Sequence, residues 1–95
     1  MRNKIIRDLK ILEKSGLKLR MPQSEHLQDG IFQLRSQVGN DISRILYFFF
    51  VGKDIILTNG FTKKTPKTPL KEIDLAKKYK KDYIDRRNKG EIENA

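Results

Sequence analysis

The chain has 95 residues, no cysteine and a formal charge of +9, from 21 Lys and Arg against 12 Asp and Glu. That length bounds it to one domain with one small core. The lack of cysteine excludes disulfides and thiolate metal sites and fits a reducing compartment. One histidine among scattered acids gives little support to a metal site, and no run of about 18 apolar residues is present to span a membrane. Met1-Arg2-Asn3-Lys4 is not followed by the apolar stretch of a signal peptide, so the cytoplasm is the expected location.

In chain order, residues 3–15 carry Ile5, Ile6, Leu9 and Leu12 at helical spacing, with Arg7, Asp8, Lys10 and Glu13 on the other side. Gly16 stands where a left-handed C-cap belongs, with Leu17 after it to make the accompanying apolar contact. Residues 17–29, which include Met21-Pro22, read as a connecting loop with Leu17, Leu19 and Leu27 tacked to the core. Next comes the stretch around which the chain is organised, residues 42–51, apolar on both alternating faces as a covered central strand would be. Gly39-Asn40 precedes it and Gly52-Lys53 follows it, and each suits a two-residue type II′ turn with Gly first. The expected sheet is therefore a three-strand meander over about 31–38, 41–51 and 54–61.

Two-residue turns would dictate the register. Val38 would face Asp41, placing Arg35 opposite Arg44 and Leu34 opposite Ile45. Val51 would face Asp54, placing Phe48 opposite Leu57 and Arg44 opposite Phe61. Alternation then sorts Phe32, Leu34, Ile45, Tyr47, Phe49 and Ile56 onto a core face, and Gln33, Arg35, Arg44, Asn59, Phe61 and Lys63 onto the other. Like charges directly opposite on a sheet are destabilising. The Arg35–Arg44 pair therefore points to an anion held between the two guanidinium groups. The simpler alternative is two arginines extended over a wet face, each paired with a carboxylate.

After Phe61 the chain turns strongly basic, with 11 bases against 4 acids over residues 61–90, a local charge of +7. Thr68 is the expected N-cap, with Pro69 in the first turn of a helix that runs to about Arg87 on Leu70, Ile73, Ala76, Tyr79, Tyr83 and Ile84. Residues 91–95 read as a frayed, disordered tail. The whole is a single α+β domain over 1–95: a small antiparallel meander with both helices packed on one face, leaving the arginine face open. A basic segment beside an arginine-bearing sheet face is the electrostatic footprint of a polyanion partner.

Three runs together carry a family resemblance. They are Gly30-Ile31-Phe32-Gln33-Leu34-Arg35, Arg44-Ile45-Leu46-Tyr47, and Phe61-Thr62-Lys63-Lys64-Thr65-Pro66-Lys67-Thr68-Pro69 with Glu72 and Ile73 after it. In this order and spacing they resemble the phage-derived, HigB-like branch of the RelE/ParE toxin superfamily of type II toxin–antitoxin systems, over roughly residues 3–85. The resemblance places Met1 almost directly before the family's second helix, so the usual N-terminal edge strand and a further helix ahead of the one ending at Gly16 are expected to be missing. A missing edge strand would leave backbone groups open to self-association.

The resemblance implies a cytoplasmic, metal-independent endoribonuclease with no cofactor, which cleaves messenger RNA on the ribosome. The RNA 2′-hydroxyl would attack the adjacent phosphate to give a cyclic phosphate and a 5′-hydroxyl. By the same resemblance, Arg44 would hold the scissile phosphate, for which a guanidinium suits better than an ammonium. Arg35, Lys63, Lys64 and Lys67 would clamp the RNA and stabilise the phosphorane charge. His26 stands where some relatives carry a functional histidine; its plainer reading is a loop histidine with local hydrogen bonds. Phe61 would stack a base or cap the sheet, and the general acid and base stay open, a lysine with a lowered pKa among the options. Implied partners are a cognate antitoxin, often with a helix-turn-helix domain, the ribosome and messenger RNA, with no membrane; the assembly is a homodimer or a toxin–antitoxin heterotetramer. Two other readings compete: a superfamily member that acts by protein binding alone, on gyrase or on an antitoxin, and a general nucleic-acid-binding domain.

Overall fold

The computed structural model describes residues 2–19, 23–51, 54–62 and 67–90. Helix α1 (Arg2–Ser15) passes through a 3-10 turn at Gly16–Lys18 and leads to four strands, β1 (Ser24–Gln28), β2 (Ile31–Val38), β3 (Asp41–Phe50) and β4 (Asp54–Thr62). Helix α2 (Leu70–Asn88) closes the order. The strands form one antiparallel sheet in sequence order, β1-β2-β3-β4. The α+β class and the meander hold, and Gly16 does take a left-handed backbone at φ 54°.

The sheet has four strands, one more than expected. Residues 24–28 were expected in a loop because Ser-Glu-His-Leu-Gln shows no apolar alternation. They pair with β2 through a two-residue turn at Asp29-Gly30, where both residues have positive φ (52° and 76°), the geometry of a type I′ hairpin. The turn is tied to α2, because Lys80 Nζ donates to the Asp29 carbonyl at 2.8 Å and Lys77 pairs with the Asp29 carboxylate at 3.0 Å.

The two helices also lie on opposite faces, not on one. Leu12 of α1 packs with Leu34 and Tyr47, flanked by Phe32, Ile45 and Phe49. Ala76 of α2 packs with Ile31, Leu46 and Phe48, flanked by Phe50, Ile56 and Phe61. The reason is β3 itself: with Ile45, Tyr47 and Phe49 on one side and Leu46, Phe48 and Phe50 on the other, both faces must be removed from water. The arginine face is therefore covered by α2 along its apolar length. Tyr83 joins that core, edge-on to Phe48 and Phe50, whereas Tyr79, expected in it, is largely exposed.

The first hairpin follows the expected register, Val38 opposite Asp41 and Arg35 opposite Arg44, with Gly39 at φ 61°. The second does not. Phe50 pairs with Asp54, so three residues link β3 to β4, and Val51 takes φ 46°. Gly52 and Lys53 lie outside the described residues. Next to the turn, Phe48 consequently faces Ile56 instead of Leu57, and Ile56 moves to the α2 face while Ile55 takes its place near α1. A bulge opposite Ile45–Tyr47 then inserts one residue into β4 and restores Arg44 opposite Phe61.

Two local expectations change for reasons of hydrogen bonding. Asp8, expected on the outer side of α1, is buried at 2% exposure. It accepts a hydrogen bond from Ser36 Oγ at 2.7 Å and an ion pair from Lys4 at 3.0 Å, which satisfies its carboxylate. Thr68 does not cap α2; Pro69 occupies the cap position, and Thr68 Oγ1 donates instead to Gln33 Oε1 on β2. Asn59 of β4 donates to the Glu72 carbonyl at 3.2 Å, so the start of α2 is pinned to strands on both sides of β3.

Candidate phosphate-binding site

The α2 face of the sheet has an apolar part and a charged part, and the start of α2 marks the boundary. Gln33 meets Thr68 just ahead of the helix. Two residues further along β2 stands Arg35, with Arg44 opposite it on β3 and Phe61 opposite Arg44 on β4. Alternation puts all four side chains on this one face, and the in-register hairpin at Gly39 makes the two arginines direct cross-strand neighbours.

The two guanidinium groups differ in depth. Arg35 is half-buried, and its Nε is buried without a hydrogen-bond partner. Arg44 is 1% exposed. Its pKa is lowered, first by burial and then by the positive charge of Arg35, while the nearby Glu25 carboxylate works in the opposite direction. An arginine remains protonated under such pressure, so the pair is a fixed, partly desolvated positive charge of two units. Such a charge suits a phosphate, whose oxygens accept paired guanidinium N–H groups.

A cleft of about 540 Å³ opens between β1 and the segment entering α2; neither arginine lines it, and Glu25, whose charge acts on Arg44, joins the two. Leu27, Pro69, Leu70 and Ile73 give it an apolar wall, and Glu25, His26, Lys67 and Thr68 a polar one. Lys67 is exposed. Lys63 and Lys64, expected in the same site, lie outside the described residues. Among the described residues no cluster of three or more His, Cys, Asp or Glu could hold a metal ion, and no helix is long and apolar enough to cross a membrane.

His26 lines the cleft, but its ring packs on Phe32, away from the arginines. It pairs with Phe32, its ring lies 4.9 Å from that ring, and Phe32 in turn packs on Tyr47 and Phe49 on the α1 face. Its Nε2 accepts a hydrogen bond from the Gly30 N–H at 3.3 Å, inside the β1–β2 hairpin. Tyr47 is buried, and its hydroxyl bonds Ser24 Oγ. The residue that sequence reasoning left out is Glu25. The Asp29-Gly30 pair was the signal that could have found it: as a hairpin turn it makes 24–28 a strand and puts Glu25 opposite Gln33.

Residues 1–81 match the family model described as phage-derived protein Gp49-like (DUF891). The chain belongs to this Gp49-like family. The match spans most of the chain, including both arginines and the basic run, and it marks the protein as phage-derived and toxin-like. No curated protein and no solved structure matches it. For a Gp49-like, toxin-like chain, the arginine pair and its cleft are where the sheet concentrates charge that its own core does not need.

Proposed function

We propose that this Gp49-like protein is the toxin of a type II toxin–antitoxin system, acting in the cytoplasm as a metal-independent endoribonuclease of the RelE/HigB type on ribosome-bound messenger RNA. The observation that carries the reading is the in-register Arg35–Arg44 pair, flanked by Phe61 and placed ahead of the basic segment. Arg35, nearer the surface, contacts the scissile phosphate. Arg44, expected from the resemblance to hold that phosphate, stands opposite Arg35 and is almost fully buried, so it adds field from a low-dielectric position, where charge acts more strongly than in water. Phe61 offers a ring to a base, and Lys63, Lys64 and Lys67 hold the flanking backbone. A free toxin of this kind requires a dedicated antitoxin protein, which would cover the site or the exposed apolar surface until released.

Primer extension on a reporter messenger RNA in a translating extract tests this. Ribosome-dependent cuts within codons are expected with the wild-type protein and are expected to vanish with Arg35→Ala and Arg44→Ala proteins that remain folded. Cutting unchanged in both variants would remove the site.

The burial of Arg44 favours a second reading, a protein that shares the fold but acts only by binding another protein. Arrested translation with intact messenger RNA, together with a tight antitoxin complex, is the outcome that would select it.

A further inference from the structure

Glu25 is the one acidic residue of β1, and the hairpin turn at Asp29-Gly30 places it on the arginine face. It stands opposite Gln33, which is itself held by Thr68, so its position is set by a strand pair and a side-chain bond to the start of α2. It is exposed, it lines the cleft with Lys67 and Thr68, and it is close enough to Arg44 to favour that guanidinium's charged form. A carboxylate at the rim of a paired-arginine site admits two roles. It can serve only to offset the positive charges, or it can accept a proton from a substrate whose phosphate those charges hold.

We infer that Glu25 is the general base of the site, and that the cleft beside it receives the nucleoside whose 2′-hydroxyl attacks the phosphate held at Arg35. This rests on the ribonuclease reading above. The cleft suits a nucleoside because Leu27, Pro69 and Leu70 face a base while Glu25, Lys67 and Thr68 face its sugar and phosphate. In the reaction, the Glu25 carboxylate takes the 2′-hydroxyl proton as the 2′-oxygen bonds to phosphorus. The P–O5′ bond breaks with its electron pair going to O5′, and O5′ takes a proton from the Lys67 ammonium. The products are a 2′,3′-cyclic phosphate and a 5′-hydroxyl. Proton exchange with water returns Glu25 to carboxylate and Lys67 to ammonium.

Glu25→Gln keeps the shape and the polar contact but removes the base. Single-turnover cleavage of messenger RNA in programmed ribosome complexes should fall by about 100-fold or more. Binding to the same complexes carrying 2′-O-methyl RNA, which cannot react, should stay the same or tighten, because a negative charge has left the rim. Glu25→Asp, which keeps a carboxylate, should partly restore the rate lost in Glu25→Gln. A wild-type protein that cuts, with Glu25→Gln cutting equally fast or losing rate only in proportion to binding, would overturn the assignment and leave Glu25 as a charge offset. A wild-type protein that does not cut would overturn the ribonuclease reading and this assignment with it.

Discussion

Arg35 and Arg44 stand directly opposite each other across the β2–β3 ladder, and Arg44 is almost fully removed from solvent. Like charges in that relation destabilise a sheet, and burial adds a desolvation cost to the charged form. The fold nonetheless keeps the pair: Gly39 supplies the positive φ of the two-residue turn that sets this register, while on the other side the β4 bulge brings Phe61 back opposite Arg44 after the second turn has shifted the pairing by one.

If the pair is kept for binding and not for stability, then an apolar side chain of similar length at position 44 should be tolerated by the fold. Arg44→Met is expected to stay within about 1 kcal/mol of the wild type, because it removes the like-charge contact with Arg35 and the cost of burying the guanidinium. Urea denaturation measures this, and the same protein should be inactive in the cleavage assay. A large loss of stability would instead make the guanidinium a structural element.

The Asp8–Ser36 bond joins α1 to β2 in a buried setting. Ser36→Ala leaves one carboxylate oxygen of Asp8 without its donor and should cost about 1–3 kcal/mol. Combining it with Asp8→Ala should cost less than the sum of the two single changes, because both remove the same interaction. Additive costs in urea melts would show that the bond contributes nothing.

Burial pushes the Tyr47 phenol above its usual value, and the bond to Ser24 opposes that shift only in part. A raised folded-state pKa means that the unfolded chain loses this proton first as pH rises. The associated stability is therefore complete below about pH 10, the ordinary tyrosine value, and declines above it. Thermal unfolding between pH 8 and 11 should show a steeper alkaline decline for wild type than for Tyr47→Phe. Parallel curves would assign the decline to other groups.

Val51 is an exposed β-branched residue at φ 46°, where its Cβ crowds the backbone at roughly 1–2 kcal/mol for an L residue. Val51→Gly relieves that strain, against about 0.5–1 kcal/mol of added chain entropy in the unfolded state. A net gain of about 0.5–1 kcal/mol in unfolding free energy is expected, and a loss would mean that the valine side chain packs usefully in the turn.

Much of the fold was legible in local chemistry. Helical spacing marked both helices, Gly16 marked the end of the first, and Gly39-Asn40 set the register that pairs Arg35 with Arg44. The misreadings came where a local signal was weak or was overruled. β1 is polar because it is an edge strand, so no alternation announced it, although Asp29-Gly30 was a strong turn signal. The second turn offered the same Gly-X pattern as the first, yet the chain spends a third residue there and recovers the register by a bulge.

Sequence alone therefore determined the class, both helices, the three-strand meander and the register that sets Arg35 opposite Arg44, because turn chemistry and periodicity act over a few residues. Only the tertiary structure decided which face each helix covers and how deep Arg44 lies. Those outcomes depend on β3 presenting apolar side chains to both sides, so that each face must recruit its own helix to exclude water. That is a competition between surfaces distant in sequence, and no local pattern records it.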